Sequence, residues 1–241
     1  MQPSESILNS RNSERTLVVM AKAPRPGTVK TRVARSLSVE AATELYRCLL
    51  ADTMELAHSI ASVRVALMCP ESDVEELAQL AVNGATVVAQ RGEGLAAGLT
   101  SVFAQFACGG HRVVAFNSDS PHLPVSVLAS AFEVLASHDV VVGPTHDGGY
   151  YLVGAKAPHN ALFHGDGMGT NSALEALLLR TRDLRLSVGF TEPFYDIDVE
   201  SDLARLAAEL RLAPARAPRT AAWLKEFEQT MAQSPSAARD Q

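Results

Sequence analysis

Residues 17–32 read LVVMAKAPRPGTVKTR. Leu17–Met20 is an apolar run with the character of a buried strand, and Ala21–Arg32 is a loop punctuated by Pro24, Pro26 and Gly27. That loop carries Lys22, Arg25, Lys30 and Arg32, and it holds two of the four lysines in the chain. Like charges about 4 Å apart repel by roughly 4 kcal/mol at an effective dielectric near 20, so such a loop calls for an anion to share it. Phosphate is the natural counter-ion, since lysine offers a point charge and arginine a planar fork. The plainer reading is a solvated basic turn.

Working outward, the chain alternates apolar strand runs with helical periodicity. Ser38 is placed to cap a helix in which Leu45, Leu49 and Leu56 keep helical spacing to about residue 60. Val63–Met68, Thr86–Ala89 and Arg112–Phe116 read as strands. Helices are expected over Ser72–Val82, opened by a Ser72/Glu75 capping box, over Leu95–Ala107, and over Pro124–Ala136 with proline in the first turn. Val140–Gly143 and Tyr150–Val153 form two strands joined by a tight link, which breaks the alternation. Leu174–Arg180 and Val199–Leu210 are helical, with a short strand at Leu186–Val188 between them. The pattern predicts an α/β three-layer sandwich around a mixed, mostly parallel sheet. Residues 1–15 form a tail, 16–212 one domain, and 213–241 a Pro-broken linker, a helix around Trp223 and a tail. That last helix either covers the sheet edge or contacts a second subunit in a homodimer.

Composition narrows the function. The 241 residues are 47% hydrophobic and 20% charged, with a net charge of −6, as in a soluble globular chain. An acidic protein with one basic loop does not suit a nucleic-acid binder, whose charge spreads over a face. No run approaches the roughly 18 apolar residues of a membrane span, and the polar N-terminus lacks a signal peptide's apolar core. Cys48, Cys69 and Cys108 lack metal-ligand spacing and read as core residues in a reducing cytoplasm.

In open α/β sheets ligands sit at the carboxyl ends of strands, and the polar motifs fall there. Asp119, in NSDSPHLP, is placed to offer a hard oxygen to Mg²⁺ or Mn²⁺, or to make an Asx-turn. In FYDIDVESDL, Asp196 and Asp198 share a face if the segment is extended. Asp198 is the expected second metal ligand and Asp196 its substitute; the plainer reading has Asp198 capping the next helix. In VVGPTHDGGYYLVG, Asp147, Gly148, Gly149 and Tyr150 form an expected acceptor site, with Asp147 as orienting group or base; a simple hairpin turn also explains the glycines. Gly92 and Gly94, entering a helix, offer backbone amides to a base or sugar. Gly165–Thr170 reads as a flap. His122 and His146 lie beside the site as supporting or surface residues, and no Walker A sequence is present.

In this order the motifs AKAPRPGTVKTR, NSDSPHLP, VVGPTHDGGYYLVG and FYDIDVESDL resemble a bacterial transferase family associated with radical-SAM and selenoprotein domains. Its members are often labelled arsenosugar-biosynthesis glycosyltransferases. The resemblance spans about Leu17 to Leu210 and implies a GT-A-like nucleotide-binding fold. That fold is shared by nucleotide-sugar glycosyltransferases and by nucleotidyltransferases such as phospholactate and molybdopterin guanylyltransferases. Two segments depart from the family: Gly92–Ala97 replaces an LGER-like sequence, and Met168–Gly169–Thr170 keeps only the threonine of a Trp-Ser-Thr segment.

These readings predict a metal-dependent nucleotidyltransferase. Phosphates lie against Lys22, Arg25, Gly27, Lys30, Thr31 and Arg32, Asp119 and Asp198 hold the metal, and Lys30, Asp119 and Asp147 are the catalytic set. The partners are a nucleotide or nucleotide-sugar donor and a small-molecule acceptor. The alternatives are a nucleotide-sugar glycosyltransferase at the same site and a nucleotide-binding module without turnover.

Overall fold

The computed structural model describes residues 15–80, 85–164 and 172–233. A seven-stranded sheet with strand order β3-β2-β1-β4-β6-β5-β7 is built from β1 (Arg15–Met20), β2 (Arg64–Cys69), β3 (Thr86–Ala89), β4 (Arg112–Asn117), β5 (Val140–Pro144), β6 (Tyr150–Ala155) and β7 (Val188–Phe190). All neighbours pair in parallel except β6, which runs antiparallel to both β4 and β5. The expected mixed, mostly parallel sheet is what forms, and the tight link after β5 is what reverses β6.

Seven helices complete the described fold: α1 (Val39–His58), α2 (Val74–Leu80), α3 (Gly94–Phe106), α4 (Val125–Ser137), α5 (Ala173–Asp183), α6 (Glu200–Leu212) and α7 (Pro218–Gln233). Successive strand side chains face opposite ways, and the core divides accordingly. Leu17, Val19 and Leu67 pack with Tyr46, Met54 and Leu77 and with Leu128 and Phe132, under α1, α2 and α4. Val18, Ala66 and Met68 pack on the other face with Leu99, Phe103 and Leu177, under α3 and α5. A third cluster joins Leu45 and Leu49 of α1 to Tyr195, Ile197, α6 and Leu224 of α7.

The C-terminal helix is fastened to the domain. Buried Asp52 of α1 accepts hydrogen bonds from the Thr220 amide and hydroxyl, both at 2.8 Å, acting as a cap supplied by another helix.

Several boundaries differ from the sequence reading. Ser38 does cap α1, accepting from the Ala41 amide at 3.1 Å. Ser72 caps nothing: its hydroxyl donates to Asp73 at 3.0 Å, and a short 3₁₀ turn, Glu71–Asp73, precedes α2. The last strand falls at Val188–Phe190 rather than Leu186–Val188, because tertiary pairing with β5 fixes a register that so short an apolar run leaves open. Of the cysteines, Cys69 is buried, Cys48 half-buried and Cys108 exposed, so only one is a true core residue. The flap assigned to Gly165–Thr170 lies outside the described residues. No described helix is long and apolar enough to cross a membrane.

Candidate active site

Strand order positions the site. From β1 the chain winds to β2 on one side, and β4 pairs on the other, with Met20 opposite Met68 and Asn117. Strand order reverses there, and loops leaving adjacent carboxyl ends diverge into a crevice. The loop after β1 carries Lys22–Arg32 and the loop after β4 carries Asp119. Antiparallel β6 begins at this end with Tyr150. The chain beyond β7 runs alongside through the Thr145–Phe194 bridge, bringing Asp196 and Asp198 to the same place.

The result is a cavity of about 980 Å³ lined by Lys22, Thr28–Arg32, Gly92–Leu95, Asn117–Asp119, Tyr150, Tyr151, Asp196 and Asp198, among others. That volume suits a nucleotide-sized ligand.

The basic loop divides its labour. Lys22 is exposed at the cavity wall, and its backbone amide donates to the Tyr46 hydroxyl at 3.2 Å. Arg25 does not line the cavity. Its guanidinium donates to Asp73 at 2.8 Å, to Glu76 at 2.9 Å and to the Ser72 carbonyl at 3.1 Å. Asp73 also accepts from the Ala23 amide at 2.9 Å. The arginine expected on phosphate therefore staples its loop to the start of α2, because a nearby carboxylate pair satisfies its planar fork. Gly27 also lies off the cavity and supplies the turn, with φ +77. Arg32 is largely exposed and stands 3.5 Å from Asp198.

Lys30 is the buried member. Its side chain is 4% exposed, and its ammonium donates to Asp119 and to the Ile197 carbonyl, with Asp198 at 3.5 Å. Burial alone would lower its pKa, but Asp119, Asp198 and Asp196 together hold it above the ordinary lysine value, so it stays charged. Its backbone is left-handed, φ +49, a costly conformation for a non-glycine residue that persists where surroundings over-determine it.

The acidic residues sort clearly. Asp202, not Asp198, caps α6: its carboxylate accepts from the Asp198 and Val199 amides at 3.0 and 2.9 Å. That leaves the Asp198 side chain free for Lys30 and Arg32. Asp196 accepts from the Asn117 side-chain amide at 2.8 Å, and burial, then the neighbouring Asp119 charge, pushes its carboxyl well above the usual range. One oxygen of Asp119 is buried without a hydrogen-bond partner. No group of three or more His, Cys, Asp or Glu side chains among the described residues is arranged to hold a metal alone. The set nevertheless fits Mg²⁺ or Mn²⁺, which usually takes one or two carboxylates and completes its shell with water and substrate phosphate. Three oxygens already converge on one cation, the Lys30 ammonium, and a fourth is unpartnered.

At the helix entry, Gly92 and Gly94 both have φ +79, and the Gln90 side-chain amide donates to the Gly92 carbonyl at 2.9 Å. The expected acceptor turn is split. Asp147 does not line the main cavity; it accepts from the Thr145 hydroxyl at 2.5 Å and the Gly149 amide at 3.2 Å, an Asx-type turn. Neither Gly148 nor Gly149 lines that cavity, whereas Tyr150 does. His146 is exposed, and His122 is fully buried, tilted against Phe194 and Tyr195 with ring centroids 5.0 and 4.5 Å away. Burial lowers its pKa to about 3, so it is a neutral core residue. Sequence reasoning missed Tyr46 and Ser118. The Tyr46 and Ser118 hydroxyls share a 2.8 Å bond across the cavity wall, and a tyrosine inside a helical stripe gives no sign of this.

Comparison with known proteins places the fold. A family profile described as an uncharacterized protein conserved in bacteria (DUF2064) matches residues 53–170. Among solved structures, a "putative nucleotide-diphospho-sugar transferase" from Desulfovibrio desulfuricans G20 is 26% identical with a TM-score of 0.81, covering 91% of this chain and 97% of its own. Rv0371c from Mycobacterium tuberculosis H37Rv is 22% identical, with TM-score 0.54 and coverage of 80% and 97%. A manganese complex of Rv0371c is also similar, at 20% identity, TM-score 0.51 and coverage of 80% and 97%. The 4-diphosphocytidyl-2C-methyl-D-erythritol synthase of Anaerococcus prevotii DSM 20548 shares the fold at 10% identity, TM-score 0.56 and coverage of 84% and 99%. No curated protein matches the sequence. The mixed seven-stranded sheet with its helices matches the architecture of the nucleotide-diphospho-sugar-transferase-like structure from Desulfovibrio.

Proposed function

We propose that this protein is a metal-dependent nucleotidyltransferase that joins a nucleoside triphosphate to a phosphorylated small molecule and releases pyrophosphate. The observation that carries the reading is the convergence of the Lys22–Arg32 loop with Asp119 and Asp198 on one nucleotide-sized cavity. Lys22, Lys30 and Arg32 face the phosphates, and the Thr28–Arg32 backbone wraps their end of the cavity. The Gly92–Gly94 entry to α3 receives the nucleoside. Asp119 and Asp198 would hold the divalent ion, which when bound neutralises phosphate charge and orients it.

An acceptor oxygen entering beside Tyr150 attacks the α-phosphorus. The new P–O bond forms as the bond to pyrophosphate breaks, and the leaving charge passes to the basic loop. A phosphomonoester acceptor arrives already ionised and needs no base.

A second reading, glycosyl transfer from a nucleotide-diphosphate sugar, is favoured by the Desulfovibrio relative's description and coverage. The labels of the selenodomain-associated family point the same way. The diversion of Arg25 also leaves less positive charge than a triphosphate would use. The two readings separate by product. The chain is incubated with Mg²⁺ or Mn²⁺, each common nucleoside triphosphate and a panel of sugar and polyol phosphates. Acceptor-dependent pyrophosphate release that Asp119→Asn abolishes supports nucleotidyl transfer. Nucleoside diphosphate release from nucleotide sugars, with no pyrophosphate from any triphosphate, overturns it in favour of the second.

A further inference from the structure

The two aspartates proposed to hold the metal already hold a cation, Lys30. Its ammonium lies between Asp119 and Asp198, capped by the Ile197 carbonyl. It comes from a different loop than either aspartate, and its backbone is held at φ +49 to reach them. An L-residue adopts that conformation only at a cost, so the chain gives up backbone energy to hold the ammonium there. An ammonium held on these carboxylates opposes a divalent ion beside it, because their charges repel at contact distance. The lysine's flexible four-carbon stem lets it withdraw toward the cavity without refolding the loop.

We propose that Lys30 is an internal counter-ion that locks the Asp119–Asp198 pair in the free protein. A divalent metal enters only as Lys30 leaves, and the released ammonium then pairs with nucleotide phosphate. The inference rests on the reading that these aspartates hold the metal. Exchanging one positive charge for two between the aspartates, and freeing the lysine, presents two more positive charges to the phosphates than the free protein does. Metal and nucleotide therefore favour each other's binding, reciprocally. The free protein is also spared the repulsion of two aspartates with no cation between them.

The test uses two measurements. In the first, the wild-type protein is treated with an acetylating reagent, and modification of Lys22, Lys30, Lys156 and Lys225, its only lysines, is read by mass spectrometry. Lys30 is expected to be protected in EDTA and to become reactive with Mn²⁺ alone, while Lys156 and Lys225 do not change. In the second, Mn²⁺ binding without nucleotide is titrated calorimetrically for wild type, Lys30→Met and Lys30→Gln. Either variant is expected to bind Mn²⁺ at least tenfold more tightly than wild type, and its melting temperature, low in EDTA, to recover with Mn²⁺. Variants that bind Mn²⁺ no more tightly than wild type overturn the lock, as does a Lys30 still protected at saturating Mn²⁺. Failure of the underlying reading looks different: Mn²⁺ binding would be undetectable in every form, or unchanged by Asp198→Asn, and the proposal would fall with it.

Discussion

Removing the Asp119 charge while leaving Lys30 in place should cost stability that removing both restores in part. The Lys30 side chain is 4% exposed and that of Asp119 is 19% exposed, so the pair is shielded from water. Breaking a fully buried pair by deleting one partner costs about 3–5 kcal/mol, because an uncompensated charge stays behind. Two features reduce that here: Asp198 remains 3.5 Å from the ammonium, and Asp119 keeps some solvent. Asp119→Asn should therefore destabilise the metal-free protein by about 2–3 kcal/mol, and Lys30→Met by a similar amount. In the double variant neither charge is left facing an empty site, and the pairwise coupling should be about 2 kcal/mol. The assay is urea unfolding in EDTA of the four proteins, compared at equal m-value so that only stability is read. Additivity within about 0.5 kcal/mol, as for distant sites, would refute the claim that these two groups are each other's principal partners.

Lys22→Ala should weaken binding of the accepted nucleotide about tenfold while leaving the melting temperature within a degree or two, since the side chain is exposed; calorimetric titration and a melt check both parts. Asp52→Ala strips the Thr220 amide and hydroxyl of their partner inside the α1–α7 contact, and each buried donor left unpaired costs about 1–3 kcal/mol. A loss of roughly 3 kcal/mol, or about 6–12 °C for a domain of this size, should appear by differential scanning fluorimetry. Asp73 supplies a pH dependence. Burial pushes its carboxyl up, but the Ala23 amide, Ser72 hydroxyl and Arg25 guanidinium outweigh that and hold it below the ordinary carboxylate value. Its contribution is present above the unfolded carboxyl pKa of about 4 and is lost as pH falls through the lower folded value. Asp73→Asn should flatten the acid limb of the stability curve below about pH 4 and leave its shape above pH 6 unchanged.

Much of the site was legible because strand ends announce themselves. Asp119 follows a run of buried strand residues, and Lys22, Lys30, Asp196, Asp198, Gly92 and Gly94 all reach the cavity that strand order creates. Arg25, Gly27, Asp147, Gly148 and Gly149 do not, although their local sequence is as suggestive. Arg25 and Asp147 are satisfied by partners at hand: Asp73 and Glu76 for the arginine, Thr145 and Gly149 for the aspartate. A one-dimensional reading counts charges in a loop but cannot see which are already neutralised.

What the sequence determined by itself was the alternation of strands and helices, the exceptional tight link before Tyr150, and the collection of cations and carboxylates at strand ends. Periodicity and turn chemistry are local, so they can be read without coordinates. Only the tertiary structure decided that Lys30 lies between Asp119 and Asp198 and that Asp196 is buried against Asn117. Those outcomes depend on contacts between segments 79 to 168 residues apart. Their pairing follows from strand order and burial, which no short window of sequence contains.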